Sequence, residues 1–362
     1  MKKQVRNNEI DFWRFIFALI IMLHHSYQLS SSGGEHVVFA SGALAVDAFF
    51  ILSGYFMTSY VYNNDQALDT QKYLVKRYSK LFPWVLFSFL IGLFIELIFN
   101  QDINLLSVIC RSVFELSFTF MIGMKGSSIN ALTWYLSAMI LAEMIIYPIL
   151  KSKKKIWYSA IAPIVCLLIL GNLSYNFGCI GNTYTWKGIA YVGLWRAIMG
   201  ISCGCACSGL VHHISENYNF SKFGILFLKI IKWCSILVCL IYMFKCNQGV
   251  GDFTIFVLFA VWCVTVETIR LSSKVENKNS KFNEKAGLFF NRFSLLIYLN
   301  QYAALKILGY INLDVTFAVE LFLYIGITIS LSVVANLIVP LTIRACRGLF
   351  SLIAIKKEEK PK

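Results

Sequence analysis

Apolar runs of membrane-spanning length recur along the whole chain, and little between them is long enough to form a separate water-soluble domain. Candidate spans are 10–30, 42–62, 81–100, 131–150, 156–172, 185–211, 223–244, 252–271, 287–310 and 316–343. A bilayer core about 30 Å thick takes about 20 apolar residues of helix, and backbone facing lipid must satisfy its own hydrogen bonds. The expected fold class is all-α: a polytopic membrane protein, a bundle of about ten transmembrane helices. Composition agrees, with 58% of residues hydrophobic and 14% charged, too little charge to cover a soluble surface. No small-residue cleavage site follows the first run, which reads as a retained helix and not a signal peptide.

The net charge is +14, but its placement argues against nucleic acid as a partner. Lys2, Lys3 and Arg6 flank the first span, and Lys72, Lys76, Arg77 and Lys80 cluster together. So do Lys151, Lys153, Lys154 and Lys155, then Lys274, Lys278, Lys281 and Lys285, and finally Arg344, Arg347, Lys356 and Lys357. Basic residues beside spans mark the cytoplasmic side. With the N-terminus inside, every cluster falls inside if 104–124, which carries Arg111 and Glu115, lies in the interface or re-enters. Both termini are then expected in the cytoplasm of a cell-membrane protein surrounded by lipid. Residues 1–350 form the membrane domain and 351–362 a basic tail. On a helix only Cys203 and Cys207 of the Cys203, Cys205, Cys207 trio align; they read as packing residues, and no metal is expected.

The first span, "DFWRFIFALIIMLHH" at residues 11–25, carries Asp11, Arg14, His24 and His25. Ionisable groups at membrane depth are costly and tend to line a pathway or site. Asp11 is placed to pair with Arg14 one turn on. Arg14 and His25 share a face to within about 20° and stand about 16 Å apart along the axis, whereas His24 points about 100° away. The next span opens "GALAVDAFFILSGYFMT", and its Asp47 matches His25 in depth, roughly 8–9 Å below the outer surface. A hydrogen bond from His25 to Asp47 would fix the imidazole tautomer and raise its basicity. Ser53 and Gly54 offer a small-residue surface for close helix approach. In "YLVKRYSKLFPWV", Lys76, Arg77 and Lys80 can hold phosphates or serve as orientation signals. Pro83 is expected near the start of its span, where a missing amide costs little. Trp84, Trp134 and Trp186 are expected as interfacial anchors.

These stretches together resemble the membrane acyltransferase 3 family. They hold its Arg, ten residues, then His arrangement (Arg14, His25). "VDAFFILSGYF" is similar to Val-Asp-x-Phe-Phe-x-Leu-Ser-Gly-Phe, and "KRYSKLFP" to an Arg-Arg-x-x-Arg-Ile-x-Pro signature. Later, "LTWYLSAMILAEMIIYPIL", "WRAIMGISCG" and "FSLLIYLNQ" resemble family segments, placing Trp134, Arg196 and Gly200. Two positions depart from the pattern: Met139 stands where many members are acidic, with Glu143 one turn later, and Gln301 stands at the usual His. The resemblance implies transfer of an acyl group, acetyl by default, from acyl-CoA as co-substrate to a hydroxyl of a cell-surface or lipid-linked glycan. It implies no bound cofactor. His25 would be the general base, for which an imidazole near pKa 6.5 suits, with Asp47 behind it. Arg14, Lys76, Arg77 and Lys80 would meet the donor's phosphates, and Asp11, Ser53, Trp134 and Arg196 would support the site. Two rivals stand beside this reading. A multispan transporter would show matching Gly or Pro interruptions in repeated halves. A glycan-export protein would need neither the Arg14–His25 stripe nor Asp47.

Overall fold

The computed structural model describes residues 7–32, 37–64, 66–100, 104–123, 129–272 and 281–353. Lys2, Lys3, Arg6, Lys274, Lys278 and the tail from 354, with Lys356 and Lys357, lie outside the described residues, as do the side chains of Lys281 and Arg347. Among the described residues there are eleven helices: α1 (Asn8–His24), α2 (Ala45–Asn63), α3 (Thr70–Phe99), α4 (Leu105–Leu116), α5 (Trp134–Ser152), α6 (Lys154–Phe177), α7 (Val192–Asn217), α8 (Lys222–Lys245), α9 (Gly251–Ser272), α10 (Lys281–Ile311) and α11 (Phe317–Ile353). A small antiparallel hairpin pairs β1 (Trp186–Lys187) with β2 (Ala190–Tyr191). The chain is thus an all-α polytopic membrane protein.

Ten long helices overlap the ten expected spans, and eight of them are long and apolar enough to cross a membrane. The other two are α1 and α10, which carry Asp11, Arg14, Asn291, Arg292, Asn300 and Gln301 and pack along one another. Their polar and charged residues set them apart from the eight apolar helices. The 12-residue α4 is only about 18 Å long, too short by itself to cross a bilayer core. Its Leu106, Ile109 and Val113 face outward while Glu115 is buried.

Two boundaries differ from expectation. α3 begins at Thr70 and not near 81, so Lys72, Lys76, Arg77 and Lys80 lie on its first turns. Pro83 therefore sits well inside the helix, not at its start. The expected start at 185 is occupied by the hairpin, and α7 begins only at Val192.

Helices α2, α5 and α7 are the most buried, while α3, α6, α8 and α11 keep most of their surface outward. Between helices in lipid there is no hydrophobic drive, so close backbone approach must supply the contact. Glycines allow it here. A Cβ on Gly54 would lie 2.0 Å from the Ile201 carbonyl oxygen, and one on Gly204 would lie 2.0 Å from that of Ile51. Ser53 is not part of this seam; its Oγ donates to Met139 Sδ on α5 at 3.3 Å. Gly54→Ala and Gly204→Ala are each expected to destabilise by about 1–3 kcal/mol through overpacking, read as a lower melting temperature in detergent. Unchanged melting would mean that α2 and α7 separate without cost.

The core is divided. The main apolar cluster joins α2, α5, α7 and α9 with one face of α1 (Ile20, Ile21) and of α10 (Tyr298, Leu299). A smaller one joins α1, α10 and α11 through Met22, Ile297, Leu305, Leu308 and Tyr324, with Leu29 beside them.

Candidate active site

α1 ends at His24, and the chain tightens into a 3-10 turn at His25–Gln28. His25 Nδ1 lies 2.8 Å from the Ile21 carbonyl oxygen. A carbonyl only accepts, so Nδ1 carries the proton and Nε2 is the basic nitrogen. The same logic applies to His24, whose Nδ1 lies 2.6 Å from the Phe39 oxygen. The two rings stand 5.4 Å apart and line one cavity. The expected 100° divergence assumed an α-helix continuing through His25. The helix stops at His24, and the cavity sits over its end, where consecutive residues both reach it.

Asp47 does not accept from His25. Its carboxylate takes Arg196 Nη2 at 2.8 Å and Nε at 3.3 Å, and both side chains are 1% exposed. Arg196 also donates from Nη1 to Thr183 Oγ1 at 3.0 Å and from Nη2 to the Ala43 oxygen at 3.4 Å. Its guanidinium lies 5.5 Å over the Trp134 ring, so Trp134 is buried at the site and not an interfacial anchor. Trp84 is half-buried, and Trp186 is exposed in the hairpin. The backbone, not Asp47, sets the His25 tautomer; Asp47 holds Arg196, which lines the cavity. A buried ion pair needs this further hydrogen bonding to offset desolvation.

The cavity has a volume of about 340 Å³ and is walled by His24, His25, Trp134, Arg196 and the rings of Tyr27, Tyr184, Tyr298 and Tyr302. The Tyr184 hydroxyl donates to the Ala131 oxygen at 2.8 Å. Gln301 donates to the Tyr298 oxygen at 3.1 Å and accepts from the Tyr324 hydroxyl at 3.4 Å.

Three buried carboxylates clamp the surrounding loops, Glu115 and two not singled out in the sequence, Asp252 and Glu320. Glu320 accepts from both the amides and the hydroxyls of Ser30 and Ser31. Glu115 accepts the Ile129 and Asn130 amides at 2.9 and 3.0 Å, though burial pushes its carboxyl up to about 7. Asp252 accepts the Ile180 and Gly249 amides and the Tyr242 hydroxyl. Asp252 and Glu320 lie in the first turns of apolar helices, where a carboxylate suits the helix dipole; that placement was the available signal.

The expected donor residues divide. Arg77 forms a two-pronged pair with Glu143, at 2.6 and 2.9 Å, against a fully buried carboxylate. Glu143, one turn beyond Met139, is the carboxylate that meets Arg77, while Met139 Sδ lies 3.5 Å from Arg77 Nη2. Arg14 donates to Asn291 Oδ1 at 3.0 Å and lies over the Phe49 ring; Asp11, a turn away, is buried. Phe49, under Arg14, lies 5.9 Å from the Tyr135 ring; the Tyr135 hydroxyl donates to Met139 Sδ, the sulfur that Arg77 also meets, at 3.5 Å, and the Tyr135 ring is 5.5 Å from Tyr298 of the cavity wall. Contacts therefore run unbroken from the cavity to both arginines. Lys76 and Lys80 instead lie on the exposed face of α3.

The sequence model of a family described as an acyltransferase domain matches residues 7–337. No curated protein and no solved structure matches.

Proposed function

The chain belongs to that acyltransferase family, and from this premise we propose that it moves an acyl group, acetyl by default, from acyl-CoA to a hydroxyl of a cell-surface or lipid-linked glycan, with His25 as general base. The carrying observation is the His25 tautomer: Nδ1–H is spent on the Ile21 carbonyl, which leaves Nε2 to take a proton in the cavity. The acceptor hydroxyl gives its proton to Nε2 as its oxygen attacks the thioester carbonyl. The tetrahedral intermediate then expels the coenzyme A thiolate, which takes that proton and leaves as the thiol. Arg196, locked from behind by Asp47, is a fixed positive group at the cavity wall, suited to the oxyanion that develops. The aromatic walls suit a sugar ring. The protein acts in the plasma membrane with both termini cytoplasmic, so that the donor enters from the α3 end and the acceptor from the cavity end.

The test is release of free thiol from acyl-CoA by purified protein, with and without a glycan acceptor. Acceptor-dependent release supports the reading. No release from acetyl-, succinyl- or longer acyl-CoA, together with solute uptake into proteoliposomes, would replace it with transport.

Arg77 tests the donor side. Glu143 takes two of its five N–H donors, and 29% of the side chain stays exposed. Arg77→Ala is expected to raise the donor KM roughly 10- to 100-fold, about 1.5–3 kcal/mol for a charged contact, with a smaller fall in kcat. Measuring it also in a Glu143→Gln background removes the effect of an orphaned carboxylate. An unchanged KM in both backgrounds would reduce Arg77 to a structural partner of Glu143.

A further inference from the structure

A second, larger concavity lies away from the His25 cavity. α6 packs on α7, α8 packs on α9, and α7 packs on α9. Between the outer helices α6 and α8 this leaves a cleft of about 1130 Å³ floored by α7 and α9. Drug-sized ligands occupy roughly 300–1,000 Å³, so the cleft suits something longer than a metabolite. Its floor is apolar, with Ala206, Leu210, Val257, Val261 and Val264 among its lining. Leu210 and Val257 are each 49% exposed, so the trough opens on the membrane-facing belt. At Trp157–Ile161, α6 swells into a π-helical turn whose Tyr158 and Ser159 line the cleft. Such turns are rare and frequent at functional sites.

One end of the trough is charged. Lys154 and Lys155 stand there with His212, His213 and Glu216. The single carboxylate of that group, Glu216, is engaged by the Tyr62 hydroxyl, and Lys154 Nζ lies 5.8 Å over the Tyr62 ring. This is the C-terminal end of α2, opposite the end that carries Asp47 and the His25 cavity. An apolar trough with a basic mouth at one membrane face matches one class of amphiphile. We propose that the cleft binds an acidic glycerophospholipid, its acyl chains in the trough and its phosphate against Lys154 and Lys155. Such lipids are concentrated in the cytoplasmic leaflet, where each nearby lysine adds to the attraction.

Native mass spectrometry of the full chain in non-ionic detergent tests this with phosphatidylglycerol and phosphatidylcholine of identical chains. Wild-type protein should retain phosphatidylglycerol roughly tenfold better or more, as two surface lysines predict. The Lys154→Ala/Lys155→Ala double variant should bring the two lipids to within about twofold. Ala206→Trp, which fills the trough, should remove both lipids while leaving thiol release from acyl-CoA intact. Equal retention by wild-type protein, or a preference that survives the lysine variant, would overturn the proposal. So would undiminished binding to folded Ala206→Trp. If that variant does not fold, the lysine pair, whose side chains are not core, decides alone.

Discussion

His25→Ala is expected to lower acyl transfer by roughly 10²–10⁴, the usual contribution of a general base and about 3–5 kcal/mol of barrier. The melting temperature should stay close to wild type, because His25 contributes one hydrogen bond to a carbonyl within its own turn. His24→Ala should cost less than tenfold in kcat and act mainly on the acceptor KM. Its Nδ1–H is bound to Phe39, so its loss loosens the chain entering α2 at the cavity rim and leaves Nε2 of His25 in place. Both variants belong in one transfer assay, with yield and melting as controls. Full activity in His25→Ala with loss in His24→Ala would assign the base to the other ring, which the shared cavity makes a fair contest.

The second large effect concerns Asp47 and Arg196. Removing one partner of a buried ion pair leaves an uncompensated charge and costs about 3–5 kcal/mol, whereas replacing both is often close to neutral. Asp47→Asn and Arg196→Met should each lower the melting temperature sharply. The double variant should regain much of that stability while remaining poor in turnover, since the cavity has lost its fixed positive group. A double variant less stable than either single one would show that the pair is not coupled as its geometry implies. Recovered turnover would remove Arg196 from the chemistry and leave it a packing role.

Much of this architecture was legible in the chain because lipid leaves few options: apolar runs of one length become helices, and the ten long helices overlap those runs. The boundaries were less legible. The third span is expected to start at 81, after the Lys72 to Lys80 cluster, because charge limits an apolar run, yet a helix continues past the interface as long as its own hydrogen bonds close. His25 was legible as a candidate from its place in an apolar run. Its partner was not, because a depth argument can bring Asp47 level with His25 but cannot weigh Arg196, which arrives from a helix some 150 residues later. Trp134 read as an anchor for a similar reason: nearness to a span end says nothing of which side of the end faces inward. Glu143 illustrates the reverse case. One turn beyond Met139, it faces the same side of α5, and the long guanidinium of Arg77 reaches it.

The division of the apolar core has a mechanical consequence. Asp47 and Arg196 ride on α2 and α7, two helices locked backbone to backbone at Gly54 and Gly204. His25 opens the turn that follows α1, a helix with one face in each cluster, and the segment just beyond it is moored to α11 by Glu320. The imidazole and the guanidinium are thus positioned through different sets of contacts. The distance between base and cation, and with it the fit of any transition state between them, is set by how two separately packed bodies register on their common helices.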